Sequence, residues 1–193
     1  MNLQTNYLGL SLRTPLVVSA NPLSWELDSI KKMESAGASA IVLYSIFEEQ
    51  LRHEQYELNY ATTVNTYSSP EAMSYFPDWE DYKTGPTQYL EHISNAKKAV
   101  KIPIIGSINC SSIGGWTDFA QKIESAGADA IELNIYSIET NFELQAEKIE
   151  QQYINIIKAV KSVVKIPVAI KLSPFFSNTA NMVKKLDDAG VDA

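Results

Sequence analysis

Apolar positions along the chain recur with two periods, and the two periods mark different elements. Short runs of apolar and β-branched residues predict strands at residues 16–19, 40–44, 102–108, 130–135 and 168–172. Segments with apolar residues three and four apart predict helices at residues 28–36, 87–100, 116–126, 143–163 and 178–189. Strands alternate with helices, which is typical of a parallel sheet covered by helices.

Two phrases recur and support this alternation. KKMESAGASAIVLYSI, QKIESAGADAIELNIYSI and KKLDDAGVDA each combine a helix end, a glycine suited to the position after the helix, and the start of a strand. AVKIPIIGSIN and VVKIPVAIKLSP each place a proline just before a buried run, where its missing N–H does least harm. The unit that repeats is helix followed by strand.

The predicted fold class is α/β, and a (β/α)8 TIM barrel is favoured over an open doubly wound sheet. ANPLSW, after the first strand, lacks the glycine-rich turn of a dinucleotide-binding sheet. The strands also carry polar residues near their C-terminal ends, as a barrel lumen opening onto a site requires. Residues 1–193 are therefore predicted to be the N-terminal part of a single TIM-barrel domain.

Only the first five βα units of a barrel can be counted, whereas eight units typically need ~250 residues. A fragment of a longer protein is the favoured interpretation. The alternatives are that another polypeptide supplies the missing strands, or that the sheet stays open with an exposed edge. Such an edge is prone to association, so a homodimer is one assembly that the sequence allows.

The segment at about residues 47–86 interrupts the alternation of helices and strands. It is aromatic, polar and punctuated by serine, proline and glycine, which predicts a long loop excursion over the strand ends. Acidic residues here, among them Glu48 and Glu49, match no metal-ligand template and are interpreted as solvated charge. No metal site is predicted.

Composition narrows the function classes. A net charge of −7 and a pI near 4.9, without a basic stripe, argue against a nucleic-acid or anionic-membrane partner. No apolar run approaches the ~20 residues that span a bilayer, and no targeting segment is recognisable, so a cytoplasmic location is expected. The single cysteine, Cys110, excludes an internal disulfide framework and is expected to be a small buried residue.

Polar residues on one face of the predicted strands are the candidate site. Alternation in AIELNIY sends Ile131, Leu133 and Ile135 to the helices and Glu132, Asn134 and Tyr136 to the lumen. By the same rule Ser107, Asn109 and Lys171 face the lumen, so they should meet Asn134 near its mouth. A buried lysine is costly unless it is paired. It therefore indicates either a functional group or a salt bridge with Glu132.

Three motifs, SINCSSIGGW, ESAGADAIELNIYSIE and IPVAIKLSPFF, resemble in order the dihydroorotate dehydrogenase family and the FMN barrel of dihydropyrimidine dehydrogenase. TPLVVSAN is similar to the family's first strand, which ends beside the flavin. The resemblance implies noncovalent FMN binding, with Asn134 and Lys171 contacting the isoalloxazine. It also implies that Ser19 and Ala20 allow the flavin to approach closely.

The resemblance further implies oxidation of a dihydropyrimidine-like CH–CH bond by hydride transfer to flavin N5, in pyrimidine biosynthesis if the substrate is dihydroorotate. Lys171 would stabilise negative charge on the reduced flavin, and Ser137 aligns with the family's base. Asn109 is the predicted substrate-binding residue. Two positions depart from the family pattern, because Glu139 stands for an asparagine and Tyr44 for a lysine.

Two other hypotheses remain open at this stage. One is a truncated, cofactor-free and non-catalytic remnant of a barrel. The other is a barrel aldolase that uses Lys171 as a Schiff base.

Overall fold

A computed structural model describes residues 2–49, 86–136 and 138–193. In these ranges the strands are β1 (Thr5–Tyr7), β2 (Leu10–Leu12), β3 (Val17–Val18), β4 (Ala40–Phe47), β5 (Ile104–Asn109), β6 (Ala130–Ile135) and β7 (Val168–Leu172). A 3-10 turn covers Pro22–Trp25, and the helices are α1 (Leu27–Ser35), α2 (Pro86–Ala99), α3 (Ile113–Ser125), α4 (Ala146–Val163) and α5 (Thr179–Asp188). The predicted excursion at 47–86 lies outside the described residues except at its two ends.

Strands β3 to β7 form one parallel sheet whose spatial order follows the chain. A doubly wound sheet reverses its strand order at a switch point, whereas a barrel does not. The consecutive order therefore confirms the barrel-type prediction, and all five predicted parallel strands are present. None of the helices in the described ranges has the length and apolar character needed to cross a membrane.

The outer face of the sheet carries the main core. Side chains that alternate along β4 to β7 point outward and are buried under the helices: Ile41, Leu43, Ile104, Ile108, Ile131, Leu133 and Val168. The helices contribute Ile30, Ile93, Ile123, Ile157, Met182 and Leu186 to the same core. This arrangement confirms the predicted facing of the strands, so the opposite side chains are left to line the lumen.

An antiparallel hairpin of β1 and β2 closes the N-terminal end of the lumen, and the sequence analysis did not predict it. Its two-residue turn places Leu8 at φ 55° and Gly9 at φ 70°, as a type I′ turn requires. Leu8 and Leu12 are buried against a lumen layer of small and branched residues, including Val42 and Ile105. The turn escaped recognition because leucine replaces the usual asparagine or aspartate before its glycine.

The aspartate in two of the repeated sequences, GADA and GVDA, makes structural contacts at the N-terminal ends of the strands. The Asp129 carboxylate lies 2.6 Å from Lys97 Nζ and accepts the first backbone N–H of β5 at 2.7 Å. Asp192 makes the same pair of contacts two helix–strand units later, with Lys161 at 2.6 Å and the first N–H of β7 at 2.8 Å. The aspartate in each of these two repeats therefore ties the neighbouring strand to the helix that precedes that strand, whereas the first repeat has Ser39 at this position.

Candidate active site

The lumen face changes from apolar to polar towards the C-terminal ends of the strands. The lower layer holds Val42, Ile105 and Ala130, and the next layer holds Ser45, Ser107 and Glu132, each set at paired register positions. Above them, Asn134 of β6 and Lys171 of β7 are register partners. Directly paired residues on neighbouring strands point to the same side of the sheet. The structure therefore places Asn134 and Lys171 side by side on the lumen face.

The amide of Asn134 is held by a network that crosses three strands. Its Nδ2 donates to Ser107 Oγ at 2.8 Å, to Ser45 Oγ at 3.2 Å and to the carbonyl of Ile108 at 3.3 Å. The two serine hydroxyls lie 2.7 Å apart. Because buried polar groups must be hydrogen-bonded, these contacts fix the orientation of the amide.

Lys171 is paired with a buried carboxylate. Its Nζ lies 3.2 Å from Glu132 Oε1, and the Ser107 hydroxyl donates to the same oxygen at 3.5 Å. The Glu132 side chain is 7% exposed, whereas the Lys171 side chain is 39% exposed. The predicted Glu132–Lys171 salt bridge is present, and through Ser107 it joins the network that holds Asn134. The ammonium therefore faces the lumen while its counter-charge is buried beneath it.

A bulge in β4 decides which side chain reaches the lumen near this network. The register between β4 and β5 shifts between Val42 and Ser45. The ring of Tyr44 stacks on Trp25 with centroids 4.2 Å apart and packs against α2, and Ser45 takes the lumen position. From the sequence, Tyr44 is expected to be the counterpart of a family lysine under the flavin. The structure corrects its placement, since one extra residue in a strand reverses the facing that follows.

Tyr89 of α2 completes the hydrogen bonding beside the bulge. Its hydroxyl donates to the carbonyl of Ser107 at 3.2 Å and accepts the Ser107 N–H at 2.8 Å. Burial raises the pKa of the Tyr89 phenol, so it stays neutral and can act as both donor and acceptor. Ser45 and Tyr89 are not predictable from the sequence, because neither the bulge nor a helix hydroxyl that reaches a strand has a periodic signal.

A cavity of about 370 Å³ lies between the lumen wall and the N-terminal hairpin. It is lined by Val17, Ser19 and Val42, and by Tyr7, Glu132 and Lys171. Burial raises the pKa of Tyr7, and the negative charge of Glu132 adds to this effect. Ala20, the next residue after Ser19, packs against the apolar lumen layer.

Asn109 lies at the end of β5 in a second cavity of about 460 Å³, which Asn134, Cys110 and Tyr136 also line. Its Oδ1 is buried and has no hydrogen-bond partner among the described residues. Asn109 therefore shares a cavity with Asn134 without joining the serine network. Ser137, the predicted base, lies outside the described residues.

The consecutive parallel strands, the helical cover and the polar lumen define a TIM-barrel type of α/β enzyme fold. Two solved structures show the same fold. A 2,3-dimethylmalate lyase aligns with a TM-score of 0.54 at 12% identity, over 92% of this chain and 55% of that one. A dihydrodipicolinate synthase from Agrobacterium tumefaciens gives 0.52 at 15% identity, over 89% and 48%. At such identities the likeness concerns the fold alone.

Within this class the chain belongs to the dihydroorotate dehydrogenase family, whose model matches residues 83–192. It is 26% identical over 193 residues to a protein of Thermoplasma acidophilum and 28% identical over 193 residues to one of Thermoplasma volcanium. Both are named dihydroorotate dehydrogenase B (NAD(+)), catalytic subunit. Each alignment covers 97% of this chain and 60% of the relative, so the chain spans about 60% of their length. The resemblance identified from the motifs is confirmed.

Proposed function

We propose that the protein is an FMN-dependent oxidoreductase that oxidises the CH–CH bond of a dihydropyrimidine-like small molecule. The observation that carries the proposal is the pairing of Asn134 and Lys171 on the lumen face, next to the cavity that Ser19 lines. When bound, FMN would supply the hydride acceptor, its N5 atom. Family membership and the names of the relatives support this choice of reaction.

The residues present fit a flavin. The cavity of about 370 Å³ combines branched side chains, Val17 and Val42, with a partly exposed ammonium, and its volume suits a small cofactor. Ser19 and Ala20 would let the ring system approach the backbone closely, because their side chains are small. Lys171 would stabilise negative charge on the ring, and the Asn134 amide would orient it by hydrogen bonding.

Asn109 and Ser137 are the proposed substrate residues. The Oδ1 of Asn109, which has no hydrogen-bond partner among the residues that the structure describes, is suited to accept a ring N–H of the substrate, because a buried carbonyl oxygen without a donor is costly. Ser137 would take the proton from the carbon next to the one that loses hydride. Its role stays a prediction, since a serine needs a partner to act as a base.

Absorption spectroscopy of the purified protein tests this function. The protein is expected to take up FMN, absorb near ~450 nm and bleach without oxygen when dihydroorotate or neutral dihydrouracil is added, because the cofactor carries the redox chemistry. Lys171→Met should slow bleaching strongly, while Lys148→Met, on the exposed face of α4, should not. A colourless protein that ignores added FMN would instead support the cofactor-free remnant.

The aldolase hypothesis has its own test. A Schiff base needs an amine that is free to reach the carbonyl carbon, whereas the Nζ of Lys171 is held 3.2 Å from the buried Glu132 carboxylate. Borohydride treatment with pyruvate as the carbonyl probe is therefore expected to leave Lys171 unmodified. An adduct mapped to Lys171 by mass spectrometry would favour the aldolase.

A further inference from the structure

Glu48, the first residue after β4, is a buried carboxylate and not the solvated charge expected from the sequence. It is 3% exposed. Its Oε2 accepts the backbone N–H groups of Ser111 and Ser112 at 2.9 and 3.1 Å and the Ser111 hydroxyl at 3.2 Å. Its Oε1 accepts the Ser112 hydroxyl at 2.9 Å. Four donors from one loop therefore converge on this carboxylate.

The carboxylate lies at the N-terminus of α3, where a helix favours negative charge. Ser112 is the N-cap of this helix, and its hydroxyl accepts the Gly115 N–H at 3.0 Å while donating to Glu48. A β-carbon at Gly115 would overlap the Glu48 carboxylate. The glycine is thus explained by the close approach of the acid, and Glu48 orients the hydroxyl that caps the helix.

This contact joins the C-terminal ends of two neighbouring strands. Phe47 and Asn109, the last residues of β4 and β5, are register partners. Glu48 directly follows Phe47, and its carboxylate accepts hydrogen bonds from Ser111 and Ser112, two and three positions after Asn109. Asn109 is the residue whose buried Oδ1 has no hydrogen-bond partner in the described part of the chain. The loop that Glu48 contacts therefore begins directly after that amide.

We propose that Glu48 is a positioning residue that acts as an internal anion for α3 and thereby sets the place of Asn109 at the rim of the site. The contact of the Glu48 carboxylate with Ser111 and Ser112 is called the clamp below. The link to substrate binding rests on the proposed function, whereas the clamp itself does not. Because the buried carboxylate already fills this helix N-terminus, a phosphate or carboxylate on a ligand cannot use it.

Substitution of Glu48 tests the clamp in the protein without FMN. Glu48→Gln keeps the size but turns an amide NH2 towards N–H and O–H donors. The folding equilibrium constant, measured by urea denaturation, should fall about 10- to 100-fold. Glu49→Gln is the matched control, because Glu49 is the next residue and is exposed. Equal stabilities of the two variants would overturn the proposal.

Anion rescue separates the internal anion from mere packing. In Glu48→Ala, sodium formate should raise the thermal midpoint above that in sodium chloride of equal ionic strength, whereas wild type and Glu49→Ala should show no such difference. If Glu48→Ala does not fold in chloride, recovery of folding in formate supports the clamp and its absence contradicts it.

Nuclear magnetic resonance tests the effect on Asn109. The side-chain amide signal of Asn109 should shift in Glu48→Ala and return towards its wild-type position with formate, while Glu49→Ala should leave it in place. An unmoved signal would overturn the positioning role. If the wild-type protein fails to bind FMN, the proposed function fails, and these FMN-free measurements still decide the clamp.

Discussion

At the scale of single residues, Tyr89 supports the site from outside the lumen. Removal of its hydroxyl in Tyr89→Phe leaves the N–H and carbonyl of Ser107 without this partner in a buried place. We expect the free energy of unfolding to fall by about 1–3 kcal/mol, measured by urea denaturation at neutral pH. Tyr136→Phe, at a 59% exposed position, should change it little. A loss no larger than in this control would contradict the role of the hydroxyl.

The buried phenol of Tyr89 should also make the stability of the fold depend on pH. Burial raises the pKa of Tyr89 above the value of 10.0 expected in the unfolded chain. The fold thus favours the protonated form. The contribution of the protonated Tyr89 phenol to stability is therefore complete below about pH 10 and is lost as the pH rises further. Between pH 9 and 11 the stability of wild type should fall more steeply than that of Tyr89→Phe. Parallel pH profiles would show that Tyr89 does not carry this effect.

The Glu132–Lys171 pair makes a second prediction at this scale. Lys171→Met leaves a buried carboxylate without its cation. The substitution should lower the free energy of unfolding by about 1–3 kcal/mol. This loss is smaller than for a fully buried pair, because Lys171 is partly exposed. Adding Glu132→Gln removes the unpaired charge and should recover part of the loss. A double variant as unstable as the sum of the two single variants would contradict this coupling.

At the scale of elements, the packing of α3 on β5 depends on the missing side chain of Gly106. A β-carbon there would lie 2.6 Å from Ile123 Cγ2, so Gly106→Ala should cost about 1–3 kcal/mol. Gly114→Ala, on the same helix with open space around it, should be neutral or stabilise by up to about 1 kcal/mol. Both are measured by thermal or urea unfolding, and a reversed order of the two alanine variants would contradict the packing.

The elements also show why prediction from the sequence succeeded where it did. The facing of Glu132, Asn134 and Lys171 was predictable, because strands β6 and β7 are regular and strict alternation carries the information. The facing of Tyr44 was not, because at the bulge in β4 its N–H donates to Ser24 and its ring packs on Tyr89, and both partners lie far away in the sequence. The burial of Glu48 depends on contacts of the same kind with Ser111 and Ser112, whereas the hairpin was missed because leucine precedes the glycine of its turn.

At the scale of the whole molecule, the parallel sheet, its helical cover and its polar rim agree with the TIM-barrel prediction. The backbone of residues 192 and 193 also pairs with β7, since the Asp192 N–H donates to the Val168 carbonyl and the Ile170 N–H to the Ala193 carbonyl, both at 2.9 Å. These bonds cover part of the outer edge of the sheet. Association through that edge into a homodimer stays a prediction, which analytical ultracentrifugation can test.

We propose that one flavin lies against the neighbouring side chains of Asn134 and Lys171. The dissociation constant of FMN tests this placement, measured by fluorescence quenching for wild type, Asn134→Ala, Lys171→Met and the outer-face control Lys148→Met. We expect wild type and Lys148→Met to bind FMN equally well, and each lumen variant to bind it about 10-fold more weakly, a difference of about 1.4 kcal/mol. Equal affinity in all four proteins, or no binding by wild type, would contradict it.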